Sequence, residues 1–183
     1  MTTTRSNTRE RILTAAAAVA RESGPGSLSL DAVAARAGVS KGGLLYNFPT
    51  KAKLLQSLVE AYVAEFERML DEAVAGGEAL AAAFVRLTAA AVDEEHAPAA
   101  WIFSAIAEDP DFLAPVKRHR RALLERLKGE ARDVPGLLLA FLAMEGLHSM
   151  KLFDAEILSE EQRRQVVERV LRIARQATPE AAA

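Results

Sequence analysis

The stretch Ser29–Lys53, SLDAVAARAGVSKGGLLYNFPTKAK, decides how the chain reads. Ser29 stands as an N-cap, and Val33, Ala34 and Ala37 recur at the spacing of one face of a short helix. Gly38 closes that helix, Val39 turns inward, and Ser40 caps a second short helix that reaches Phe48. Pro49-Thr50 ends the second helix and opens a longer one. Two short helices joined by a glycine turn make a helix-turn-helix. The second helix carries no acidic residue, so it suits a major groove about 12 Å wide. Gly42 and Gly43 are each less favourable in a helix than alanine by up to about 1 kcal/mol, which points to a close approach of backbone and duplex there. Lys51 begins the longer helix, where an ammonium and unsatisfied N–H groups can share a phosphate.

Charge supports a polyanion partner only when the chain is divided. The 183 residues carry a net charge of −2, which on average argues against nucleic acid. Residues 1–55 hold eight bases (Arg5, Arg9, Arg11, Arg21, Arg36, Lys41, Lys51 and Lys53) against Glu10, Glu22 and Asp31, a balance of +5. The remainder therefore carries −7. A basic head on an acidic body implies a helix-turn-helix DNA-binding domain over 1–55 and a second domain over 56–183.

The rest of the chain reads as all-α. Half of the residues are hydrophobic, 26% are charged, and only seven Pro and ten Gly interrupt them. Helical periodicity predicts nine helices, at about 7–23, 29–37, 40–48, 51–75, 78–94, 98–107, 112–131, 135–153 and 159–177. In the first, Ile12, Leu13, Ala16, Val19 and Ala20 form one stripe. In the fourth, Leu54, Leu58, Tyr62, Phe66, Met69 and Leu70 hold an apolar face. Ser159 with Gln162 is a capping-box signature.

Over residues 7–58 the sequence resembles the TetR family of one-component transcriptional repressors. The resemblance rests on the amphipathic first helix, AVAARAGVSKGG, the aromatic cluster ending in Phe48, and Pro49-Thr50-Lys51. It implies that Ser40, Lys41, Gly42, Gly43, Tyr46 and Asn47 face DNA. Ser29 and Lys51 would hold phosphates, with Arg36 in the same DNA-binding set. Leu45 occupies the slot where the family places a tyrosine, with Tyr46 one position on, and Asn47 replaces a frequent histidine. An asparagine there can read an adenine edge. The resemblance also implies a nine-helix TetR-like fold whose C-terminal body holds a small apolar or amphipathic effector and dimerises through its last two helices.

The body's own residues point the same way. Residues 136–153 are apolar almost all round, and a helix hydrophobic on every side needs cover on every side. The candidate dimer contacts are Leu138, Leu142, Leu147, Val166, Val170 and Ile173, which would pack as a four-helix bundle with a second copy. Such a dimer sets two recognition helices about 34–36 Å apart, which implies a palindromic operator in double-stranded DNA. Phe84, Trp101, Phe103, Ile106, Phe141, Met144 and His148 are the candidate lining of an effector cavity, with Trp101 and His148 able to hydrogen-bond inside it.

Other motifs read as ordinary structure. Lys117-Arg118-His119-Arg120-Arg121 lies on a helix with an inward leucine stripe and is expected to be a solvated basic face. Glu108-Asp109-Pro110-Asp111 is expected to be a loop capping the next helix. There is no cysteine, so disulfides and thiolate chemistry are excluded. His96, His119 and His148 lack metal-ligand spacing, and no phosphate loop, dinucleotide fingerprint or nucleophile elbow is present. A regulator with no catalytic residues, cofactor or metal is expected. A DNA-binding activator or a DNA-organising protein without an effector is the alternative, and a small helical enzyme fits less well. No apolar run reaches the roughly 18 residues of a membrane span, and the Arg-rich start continues as an amphipathic helix, so a cytoplasmic protein is expected.

Overall fold

The structure, a computed structural model, describes residues 2–23, 28–93, 109, 111–152, 155 and 157–178. Among these residues it is all-helical: α1 (Thr2–Ser23), α2 (Leu30–Ala37), α3 (Lys41–Asn47), α4 (Lys51–Ala75), α5 (Leu80–Asp93), α6 (Ala114–Glu130), α7 (Val134–Leu152) and α8 (Glu160–Ala177). The helix expected at 98–107 lies outside the described residues. None of the described helices is long and apolar enough to cross a membrane.

Helix ends fall where capping chemistry places them. The hydroxyls of Ser40 and Thr50 accept the N–H groups of Gly43 (3.0 Å) and Lys53 (3.1 Å). The Asp133 carboxylate accepts Gly136 N–H at 3.0 Å, and Ser159 and Gln162 form a complete capping box at α8. Each bond satisfies a donor that the first helical turn leaves without a carbonyl. The two glycines with positive φ, Gly38 (63°) and Gly77 (91°), close α2 and α4. At the first, Gly38 N–H donates to Ala35 O and Val39 N–H to Ala34 O. At the second, Gly77 and Glu78 repeat the pattern on Val74 and Ala73. Both are Schellman closures, which need the left-handed conformation that glycine adopts without a Cβ penalty.

Packing divides the chain into two compact units, one of residues 1–62 with 96–116, the other of 63–95 with 117–183. The core of the first holds Ile12, Ala16 and Val19 of α1, Val33 of α2, Leu44 and Phe48 around α3, Leu54 of α4, and Phe112. In the second, α5 packs against α7 and α8, and α7 against α8. Leu70, Phe84, Val85, Leu127, Leu137, Phe141, Met144 and Ala174 fill its core. This division by packing is a different partition from the expected division of roles at residue 55.

The apolar face expected along α4 is only partly covered. Leu54 and Leu70 are buried, while Tyr62 and Met69 between them are exposed. The helix supplies one core near each end, so residues in the middle of its stripe have less to pack against.

Substituting Gly38 by alanine should destabilise the protein by about 1–2 kcal/mol, the penalty of a left-handed L-residue. The new Cβ would also sit 3.1 Å from the Arg11 guanidinium. Urea unfolding checks this, and Gly38→Asn should lose less than Gly38→Ala, because asparagine tolerates that backbone region better.

Candidate nucleic-acid interface

The helix-turn-helix is held by α1 as well as by its own turn. Arg11 on α1 donates from Nη2 to the Ala37 carbonyl at 2.5 Å and lies 3.4 Å from that of Gly38. A guanidinium at the last carbonyls of α2 satisfies acceptors that the helix end leaves open and suits its negative dipole end. Arg9 sits over the Phe48 ring at 4.7 Å and donates to Ser57 Oγ at 3.0 Å. Two cations counted towards a DNA-facing charge thus hold the head together. Their positions relative to Ile12 and Ala16 place Arg9 on the edge of the buried stripe, a signal that spacing contains.

The candidate DNA residues fall into three groups. Gly42 and Tyr46 are exposed, Tyr46 by 69% of its surface, and Leu44 beneath them is buried. A Cβ on Gly42 would meet nothing closer than Ser40 Oγ at 3.9 Å, so the chain's own packing does not require glycine there. A Cβ on Gly43 would crowd Ser40 Oγ at 3.3 Å, so the Ser40 cap itself favours the second glycine.

Arg36 and Lys41 form the second group, each facing an acid of the head. Arg36 Nη1 lies 2.6 Å from Glu22 and Lys41 Nζ 3.0 Å from Asp31. The hydrogen bond from Arg36 holds the Glu22 carboxyl below the usual carboxylate range. Exposed pairs of this kind are weak, because water screens both charges.

Ser29, Asn47 and Lys51 make up the third group. Ser29 Oγ accepts Ala32 N–H at 3.4 Å, and its own proton remains available to donate. Lys51 is the first residue of α4. Asn47 is half-buried and donates from Nδ2 to Gly43 O at 2.8 Å. That bond uses one of the two Nδ2 protons and orients the amide from within the helix.

The turn preceding α6 attaches to the start of α4. Lys53 Nζ lies 2.6 Å from Asp109, and Gln56 donates to Asp111 O at 3.3 Å. Asp109 also accepts Asp111 N–H at 3.1 Å, a turn within the loop that precedes α6. The hydrogen bond from Lys53, with that from Asp111, holds the Asp109 carboxyl below its ordinary value.

In the second unit, Phe84 and Phe141 stack with centroids 5.4 Å apart at 18°, and Met144 is fully buried beside them. His148 is partly buried on the same helix, while Trp101, Phe103 and Ile106 lie outside the described residues. Leu147 and Val170, expected at a dimer interface, are buried in the chain's own core. Leu138, Val166 and Ile173 are partly covered, whereas Leu139 and Leu142 are about two-thirds bare, at 64% and 65%. The helical face that a partner could cover is therefore centred on Leu139 and Leu142.

The basic run at 117–121 is not the wholly solvated face the sequence suggests. His119 Nδ1 lies 2.7 Å from Glu67 on α4 and packs edge-on against Phe66, and Arg120 lies 2.6 Å from Glu145 on α7. Burial pushes the Glu145 carboxyl up, and the charges of Arg120 and His119 oppose the rise. Among the described residues no group of three or more His, Asp or Glu side chains could hold a metal ion.

Residues 12–58, which contain the whole helix-turn-helix, match the family described as bacterial regulatory proteins, tetR family. Residues 78–175 match a second, described as tetracyclin repressor-like, C-terminal domain. The chain belongs to the TetR family. It is a DNA-binding transcriptional regulator, and α2 and α3 are its helix-turn-helix. No curated protein matches its sequence significantly. Among solved structures it is similar to SCO4454, a TetR-family transcriptional regulator from Streptomyces coelicolor, at 19% identity over 95% of this chain and 97% of that one, with a TM-score of 0.68. It is also similar to RolR in complex with resorcinol, at 19% identity over 100% of both chains and a TM-score of 0.58. A third is the multidrug binding protein EbrR in complex with proflavin, at 21% identity over 89% of this chain and 99% of that one, again with a TM-score of 0.58. These three likenesses show the fold.

The Lys53–Asp109 attachment has a definite pH dependence. A lowered carboxyl value contributes stability that is complete above about pH 5 and is lost as pH falls through the folded-state value. The loss of amide protection, relative to the intrinsic exchange rate at each pH, expected at Asp111 and Phe112 in acid should therefore be reproduced at neutral pH by Asp109→Asn. Exchange unchanged in that variant would detach the turn from this pair.

Proposed function

We propose that the protein is a homodimeric, cytoplasmic repressor that binds a palindromic operator and is released by a small apolar or amphipathic effector. The observation that carries this reading is α3, a capped helix with an acid-free first turn that exposes Lys41, Gly42 and Tyr46 beside the beginnings of α2 and α4. Ser40, Lys41, Gly42, Gly43 and Tyr46 would meet the major groove. Ser29, Arg36 and Lys51 would hold phosphates, with Asn47 bracing the helix that carries the contacts. Residues 1–55 act as the DNA-binding domain and 56–183 as the effector and dimerisation domain, with no catalytic role.

The second half of the proposal draws on the body. RolR and EbrR are seen with resorcinol and proflavin, and the stacked Phe84 and Phe141 belong to the same kind of helical domain here. The bare stripe through Leu139 and Leu142 supports a second copy as its cover. An effector that prefers a dimer state in which the two heads no longer match the operator must weaken DNA binding by linkage.

Fluorescence anisotropy on the DNA upstream of the protein's own gene tests the reading. Affinity should fall steeply with salt and exceed that for random DNA, and equal affinity for both would refute it. Lys51→Ala should weaken binding to every sequence and lower the salt slope by about 1, leaving sequence preference unchanged.

Leu142→Asp should give a folded monomer, because that side chain is bare in the single chain. Leu147→Asp should fail to fold, because it places an unpaired charge in the core. Sedimentation separates the two outcomes, and an intact dimer of Leu142→Asp would place the interface elsewhere.

A further inference from the structure

Two buried threonines differ in a way that packing does not explain. Among the described residues, Thr88 on α5 and Thr178 beyond α8 are the buried polar side chains. Thr178 donates to Ala174 O at 3.2 Å, the usual bond of a buried helical threonine to the carbonyl four residues back. Among the described residues Thr88 Oγ1 has no hydrogen-bond partner. A buried hydroxyl without a partner forfeits its hydration, a cost that an isosteric valine would avoid.

The helix directions show what shares its level. Arg120 pairs with Glu145 across the three-residue link 131–133, so α6 and α7 run antiparallel. The four-residue link 76–79 is too short to return α5 alongside α4 in the same direction. Glu67 meets His119 and Asp71 meets Arg126, so α4 and α6 advance together. It follows that α5 and α7 run in the same direction. Phe84 on α5 stacks on Phe141 of α7. One turn further along each helix, on the same faces, come Thr88 and Glu145. An aromatic pair is thus followed by a polar layer of an unsatisfied hydroxyl and a carboxylate whose charge Arg120 balances.

We infer that Thr88 and Glu145 are the polar end of the effector site. The effector is then a flat aromatic molecule that carries a hydroxyl or amine donor and no anionic group. This rests on the reading of the C-terminal body as an effector domain. The aromatic part lies against Phe84 and Phe141. The donor bonds a Glu145 oxygen, which has lone pairs beyond those facing Arg120, and the ligand satisfies Thr88 Oγ1. An anionic head meets the Glu145 charge, while Arg120 is already neutralised by that same carboxylate.

Calorimetric titration of the full chain without DNA, using phenol, benzylamine, toluene and benzoate, tests this. Phenol and benzylamine should bind, toluene about tenfold more weakly for want of a hydrogen bond, and benzoate not at all. Thr88→Val should weaken phenol about tenfold, leave toluene unchanged, and raise the melting temperature of the unliganded protein. Thr88→Ser, which keeps the hydroxyl, should bind phenol as the parent does, and stands in if the valine variant fails to fold. Glu145→Gln should weaken benzylamine more than phenol. Equal affinity for toluene and phenol, preference for benzoate, no binding by any donor-bearing compound, or phenol affinity untouched by Thr88→Val would each overturn the assignment. Operator release by toluene or benzoate alone would refute these anchors and leave the repressor reading standing. Phenol binding without release would do the reverse.

Discussion

The left-handed turn at Gly38 is the constraint on which the DNA-binding head depends. It ends α2, supplies the Val39 N–H that closes the Ala34 carbonyl, and aims the chain into α3. Arg11 then fixes the Ala37 carbonyl from α1, so three helices are referred to one point. Because a recognition helix must present its backbone and side chains within a fraction of an ångström, a turn with two specified hydrogen bonds serves better than a flexible loop. Leu44 and Phe48 anchor α3 to the core from below and leave its upper face to Gly42 and Tyr46.

Charge in the head follows from this arrangement. A local excess of five positive charges suggests a uniformly attractive surface, yet several of those cations have structural work. Arg9 and Arg11 hold helices together, and Lys53 pins the turn at Asp109. Arg36 and Lys41 face Glu22 and Asp31 in exposed, exchangeable pairs. Such pairs hold long side chains in place while leaving them easily released, since exposed ion pairs are weak. The net excess therefore overstates how much of the head's positive charge is unengaged within the chain.

What could be read from the residues alone was whatever is local. Caps at Ser29, Ser40 and Ser159, the glycine closures, and the stripe of Ile12, Ala16 and Val19 depend on neighbours within one or two turns, and the structure has them as expected. The family's residues in the helix-turn-helix were legible for the same reason. What escaped depends on tertiary pairing. Asn47 bonds back to Gly43, Leu147 and Val170 fall on the covered sides of their helices, and His119 and Arg120 find carboxylates on α4 and α7. Helix α7 shows why. It is apolar on both faces, so its sequence does not distinguish the face its own chain covers from the face left bare.

The two faces of α7 then divide the work of the body. Phe141, Met144 and Leu147 look into the core, with Glu145 at its polar edge, while Leu139 and Leu142 look outward. A dimer closed through the outer stripe would hold α7 rigidly on that side. A ligand acting on the inner side, at the level of Thr88, would then press on the helices packed there, α5 and α8. Both α4 and α6 begin among residues of the head's packing unit and end in the other.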